Sequence, residues 1–188
     1  KQSGHIADIG FDLYCQLLVQ TVEELKATQA GEAERRFIPG EVKQPPGIAL
    51  PLTAYIPEEY IPSLNTRLSL YHKLAKAEGI EEIQTIAQEL KDRFGALPQP
   101  MRNLLYIVKA KVLATKAEVD SISTQGGQII IKCKGDVIAS ETKESLRQHY
   151  DRAIKIGTTQ MKLDTKHPRI KWTEALEEIL RSMAKEAA

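Results

Sequence analysis

Glu89 and Asp92 are the residues whose type and spacing most directly suggest chemistry. At 100° per residue, a helix over this stretch gathers Glu82, Thr85, Glu89 and Asp92 on one side, opposite Ile83, Ile86 and Leu90. No basic residue stands four positions before either carboxylate, and the two are i, i+3 neighbours. Such a pair repels itself unless a cation arrives from elsewhere. It therefore reads as a candidate electrostatic docking patch for an arginine-bearing surface. The plain alternative is a solvated helix face.

Constellations that could carry a reaction are not found. Gly126-Gly127 has neither the spacing of a phosphate-cradling loop nor the Lys-Ser/Thr pair that completes one. His5, His72, His149 and His167 share no metal-ligand spacing on one helix face. No Gly-x-Ser-x-Gly elbow occurs. Cys15 and Cys133 lie far apart inside apolar runs, which suggests buried free thiols in a reducing compartment. A binding or regulatory module without cofactor, metal or small-molecule substrate is the expectation.

Charge divides the chain. Residues 1–100 hold ten Lys/Arg against fourteen Asp/Glu, whereas residues 101–188 hold sixteen against eleven. The basic half carries Lys132, Lys134, Lys155, Lys162, Lys166, Arg169 and Lys171 near its strand candidates, with only Tyr150 and Trp172 as aromatic neighbours. A nucleic-acid-binding accessory domain is thus the alternative function, although its stacking platforms are thin.

These residues need elements to hold them. Phe11, Tyr14, Leu18, Val22 and Leu25 recur at helical spacing, and residues 29–47, rich in Pro and Gly, read as a linker. Ile48, Leu50, Leu52 and Ala54 alternate as one extended strand, pushed to a sheet edge by Pro51. Three helices are expected next. Leu64, Leu68, Tyr71, Leu74 and Ala75 mark the first, stopped by Gly79; Ile83 to Phe94 marks the second, ended by Gly95; the third runs from Met101 to about Lys116, with Pro100 at its first position. Val119–Thr124 and Ile129–Cys133 flank Gly126-Gly127 as a hairpin. A short helix lies within 137–150, strand candidates at 153–156, 161–163 and 169–172, and a last helix presents Leu176, Ile179, Leu180 and Met183. Runs of helices followed by strands indicate an α+β fold, with a helical first half on a small, mainly antiparallel sheet and a C-terminal helix.

The 188 residues, 42% apolar and 27% charged with net charge +1, fit a globular chain able to bury a core without staples. No apolar run approaches the roughly 20 residues needed to cross a bilayer, and no secretory pattern is present, so cytoplasm is the expected compartment.

Three stretches resemble a known family. Ser3 to Leu18 is similar to the end of the translocase region in bacterial transcription-repair coupling factors (Mfd-type proteins). Ala54 to Pro62 with Asn65 to Leu68, and Asp92 to Pro100, are similar to later parts of the same family, in family order. The likeness runs over essentially the whole chain, close through about Lys116 and loose from there to Trp172. It implies a piece of a longer protein: residues 1–28 the tail helix of the translocase module, 29–47 a linker, 48–188 a C-terminal regulatory domain. In the family, a UvrB-like module, an RNA-polymerase-binding domain and two ATP- and magnesium-dependent motor domains precede this region, and the whole protein engages RNA polymerase, DNA and UvrA. The resemblance implies a non-catalytic C-terminal domain that packs on the UvrB-like module and hides the surface that recruits UvrA. The family's docking carboxylates correspond to Glu89 and Asp92. Arg93, Phe94, Gly95, Leu97 and Pro98 correspond to a structural turn with Phe94 buried.

Overall fold

The computed structural model describes residues 46–135, 138 and 140–186. The helix expected over Phe11–Leu25, Cys15 and nearly all of the 29–47 linker lie outside them. Helices α1 (Leu64–Ala75), α2 (Ile80–Phe94) and α3 (Gln99–Lys116) are followed by α4 (Ser140–Tyr150) and α5 (Trp172–Glu186). The strands are β1 (Gly47–Ile48), β2 (Val119–Gln125), β3 (Gln128–Cys133), β4 (Ile154–Ile156) and β5 (Gln160–Asp164). They form one mixed sheet in the order β1-β2-β3-β5-β4, parallel only between β1 and β2. This is the α+β architecture expected from the pattern of helices and strands.

The hairpin follows from two glycines. Gly126 and Gly127 both take positive φ, +59° and +77°, the two-residue turn whose twist suits antiparallel strands. From that turn, Ile122, Ile129, Ile131, Met161 and Leu163 all face one side of the sheet and are fully buried. Leu176, Ile179 and Leu180 of α5 complete that cluster.

A second cluster lies among the first three helices, built on Leu70, Tyr71 and Leu74 of α1 and Ile83, Ile86 and Leu90 of α2. Helix α3 belongs to both. Met101, Leu104, Leu105, Val108 and Val112 enter the helical cluster, while Ile107, Ala110, Leu113 and Ala114 enter the sheet cluster. A helix buried on two faces loses the polar side that surface helices keep. The Tyr106 hydroxyl donates to Thr173 O at 2.7 Å, and Lys109 meets Glu177 at 2.6 Å, so polar contacts also tie α3 to α5.

Several expected elements differ. The strand over Ile48–Ala54 is only the edge pair Gly47–Ile48. Leu52 N donates to Leu50 O in a tight turn around Pro51, which takes the chain out of the ladder. Residues 169–172 form no strand: Ile170 N bonds His167 O, and α5 has begun by Trp172. Gly79 does not stop α1, which ends at Ala75; it is the N-cap of α2. Pro100 stands second in α3, behind Gln99. Leu64 is 59% exposed, because the first turn of α1 projects past the core beside its Ser63 cap. Among the described residues, no helix is long and apolar enough to cross a membrane.

Candidate docking surface

Helix α2 turns Ile83, Ile86 and Leu90 inward and leaves Glu81, Glu82, Thr85, Gln88, Glu89 and Asp92 exposed. The acidic edge read from the sequence is thus present, mounted on a buried apolar strip. Glu81 and Glu82 occupy the first turn, where negative charge meets the positive end of the helix dipole.

The far end of α2 is fixed by the Arg93-Phe94-Gly95 turn. Gly95 has φ +83° and ψ −159°, a region open essentially to glycine alone, and its N–H donates to Lys91 O at 2.9 Å. The Tyr60 hydroxyl lies 3.1 and 3.0 Å from the carbonyl oxygens of Leu90 and Gly95 and caps the C-terminal turn. Phe94 is half-buried rather than buried, with its ring 5.8 Å from that of Tyr60 and the Arg93 guanidinium carbon 5.2 Å from its centroid. Leu97 is buried, and Pro98 is the N-cap of α3.

The carboxylates themselves depart from expectation. Glu89 is not bare: Oε2 lies 3.1 Å from Lys73 Nζ, and Oε1 lies 3.4 Å from an Arg93 guanidinium nitrogen. The hydrogen bond and charge of Lys73, then those of Arg93, hold its carboxyl below the usual carboxylate range. Asp92 accepts from Gln88 Nε2 at 2.9 Å, and none of the described cations lies within ion-pair distance of it. An unpartnered acidic pair is therefore overturned at Glu89 and holds for Asp92 only as regards cations. Both carboxylates remain open to water, with Glu89 46% exposed beside a Lys73 that is 49% and an Arg93 that is 60% exposed. Ion pairs this solvated are weak and exchangeable.

One of the two cations was readable. Arg93 follows Glu89 by four residues, the spacing that joins neighbours on a helix face, and it lies after the carboxylate rather than before it. Lys73 comes from α1, sixteen residues upstream, and only the packing of α1 beside α2 brings it there.

Residues considered for chemistry are scattered. His72 is half-buried on α1, His149 lies 3.9 Å from Glu178, and His167 is half-buried in the turn before α5. Among the described residues, no three His, Cys, Asp or Glu side chains are grouped to hold a metal ion. Burial pushes the Cys133 thiol up, away from thiolate reactivity.

Comparison with known proteins agrees with this architecture. The family model described as the TRCF domain matches residues 50–143, half of the chain. Transcription-repair-coupling factors from Buchnera aphidicola, Escherichia coli and Staphylococcus epidermidis are 37%, 33% and 34% identical over 70%, 92% and 100% of the chain. The chain spans only 16%, 15% and 16% of those relatives' lengths. A crystal structure of the C-terminal domain of a transcription-repair coupling factor superposes with a TM-score of 0.64 over 76% of this chain and 93% of that one, at 21% identity. The chain belongs to the TRCF domain family, as a C-terminal domain of a transcription-repair coupling factor.

Proposed function

We propose that this domain is a non-catalytic restraint within its parent coupling factor, packing on the UvrB-like N-terminal module and covering the surface that recruits UvrA. The parent would be an ATP-dependent translocase that removes stalled RNA polymerase from DNA; ATP and magnesium would serve its motor, with no cofactor assigned to this domain. The observation that carries the reading is the exposed acidic edge of α2, held in place by buried Ile83, Ile86 and Leu90 and by the Tyr60-capped turn at Gly95.

The pairing of Glu89 changes how the contact would form. A guanidinium from the module would compete with Lys73 and Arg93 for a carboxylate already in use, replacing one solvated ion pair by another. Asp92, held among the described residues by the Gln88 amide alone, would accept a charge-assisted bond with less to displace. On this reading Asp92 is the stronger of the two contacts. Exchange of this kind suits a latch that must open.

The test is made in the intact coupling factor. Glu89→Arg with Asp92→Arg places like charge against the docking arginines and is expected to expose the UvrA-binding surface, raising UvrA capture by at least about tenfold. Asp92→Asn alone should release more than Glu89→Gln alone. Capture of UvrA unchanged from wild type in a folded double variant would overturn the assignment.

A further inference from the structure

The face of the sheet turned away from the helices carries its own charge pattern. Alternation along the strands places Ser121, Ser123 and Gln125 of β2, Gln128, Ile130 and Lys132 of β3, and Gln160, Lys162 and Asp164 of β5 on this side. Lys155 of β4 joins them directly opposite Lys162. Lys132 pairs with Gln160 and so stands diagonal to Lys162 across β3 and β5. Directly opposed Cβ atoms in a sheet are about 4.5–5.5 Å apart and diagonal ones about 7–8 Å, so the three ammonium groups form one slanted row.

None of the three lysines makes an ion pair among the described residues. The acids nearby are Asp164, at the hairpin end, whose carboxylate accepts from Lys166 N at 2.9 Å, and exposed Asp120 beside the irregularity between Val119 and Ser121. Neither lies within 4 Å of a lysine of the row. Two lysines directly opposite each other disfavour the folded sheet unless a counter-charge is supplied. No described helix covers this face: the helices that meet the sheet do so through the buried Ile122, Ile129, Ile131, Met161 and Leu163.

We propose that this open sheet face binds the phosphate backbone of duplex nucleic acid through Lys132, Lys155 and Lys162. Charge complementarity selects an anion, and the rest of the face selects which kind. A protein partner needs an apolar centre, and Ile130, half-buried, is the one aliphatic residue in these rows. The neighbours are Ser and Gln, side chains that hydrogen-bond phosphate and sugar oxygens. No aromatic side chain stands in the rows, so unpaired bases find no stacking platform and the contact reads no sequence. The surface is separate from the acidic edge of α2, and its test does not depend on the docking role of that edge.

Fluorescence anisotropy of the 188-residue chain with a labelled mixed-sequence duplex, from low to physiological salt, tests this directly. Three neutralised phosphates predict a slope of log affinity on log salt near −2.7, from roughly −0.9 per contact. Lys132→Gln, Lys155→Gln and Lys162→Gln together should reduce low-salt affinity at least about tenfold and flatten that slope. Lys76→Gln, Lys91→Gln and Arg102→Gln make the same change of net charge on exposed positions of the helical half and should leave affinity within about twofold. The thermal midpoint of each variant establishes that the fold is kept. Absence of binding at low salt overturns the proposal, as does an equal loss in the two triple variants. A labelled poly-glutamate peptide of matched charge that binds as tightly as the duplex overturns it in favour of an acidic protein partner.

Discussion

The acidic edge of α2 and the lysine row of the sheet are both charged surfaces over buried apolar floors, yet they treat their charges in opposite ways. On α2, a carboxylate finds a cation one turn away on its own helix and another on α1, so Glu89 is satisfied before any partner arrives. On the sheet, pairing sets Lys155 against Lys162, and neither makes an ion pair among the described residues. A helix offers each charged side chain neighbours at i±3 and i±4 that sequence can supply with the opposite sign. A sheet offers neighbours chosen by register, from segments distant in sequence. A surface that stays unneutralised when neutralisation was available nearby is the better indicator of a missing counter-charge.

The comparison can be broken at the floors first. Ile86→Ala beneath the acidic edge and Ile131→Ala beneath the sheet should each cost about 2–5 kcal/mol, since both side chains are fully buried. Because α3 serves both clusters, urea midpoints from Trp172 fluorescence and from helical circular dichroism should shift together in either variant. Trp172, the single tryptophan, sits edge-on to Tyr106 at the sheet cluster; a Trp172 midpoint left unmoved by Ile86→Ala would separate the two halves.

A smaller effect is expected where α2 ends. Gly95→Ala introduces a Cβ that meets nothing within 4 Å, so only the backbone conformation opposes it, at about 1–3 kcal/mol. A variant as stable as wild type would show that the turn relaxes without loss.

The smallest effects carry the sharpest contrast, because they differ in sign. Lys162→Gln relieves like-charge opposition and should stabilise by about 0.2–1 kcal/mol, whereas Glu89→Gln should destabilise slightly near pH 7. A depressed carboxylate contributes stability that is present above its unfolded pKa and is lost as pH falls through its folded value. The difference between Glu89→Gln and wild type should therefore vanish in acid, while the gain from Lys162→Gln should persist there. Chemical denaturation at both pH values measures the pair; a stabilising Glu89→Gln or a destabilising Lys162→Gln would erase the contrast.

Much of this architecture was legible from residues in order. Ile83, Ile86 and Leu90 repeat at helical spacing, and Gly95 and Gly126-Gly127 stand where positive φ is required, so α2 and the β2–β3 hairpin lie where the pattern puts them. What was not legible depends on contacts between distant segments. Leu50 and Leu52 alternate like a strand, but Pro51 cannot donate and the chain turns after two paired residues. Arg169–Trp172 has strand-like composition, but it lies between a proline turn and the first turn of α5. At the candidate site, exposure of Glu89 and Asp92 followed from helical geometry, while Lys73 arrived through packing of α1. The opposition of Lys155 and Lys162 follows from the tight turn in which Gly157 N bonds Gln160 O, a register that spacing alone does not determine.

The double burial of α3 has a mechanical consequence. One rod anchors both hydrophobic clusters, so the two charged surfaces are carried like fittings bolted to a single bracket. Whatever seizes one of them therefore bears on where the other is aimed, through the α3 side chains that enter both clusters.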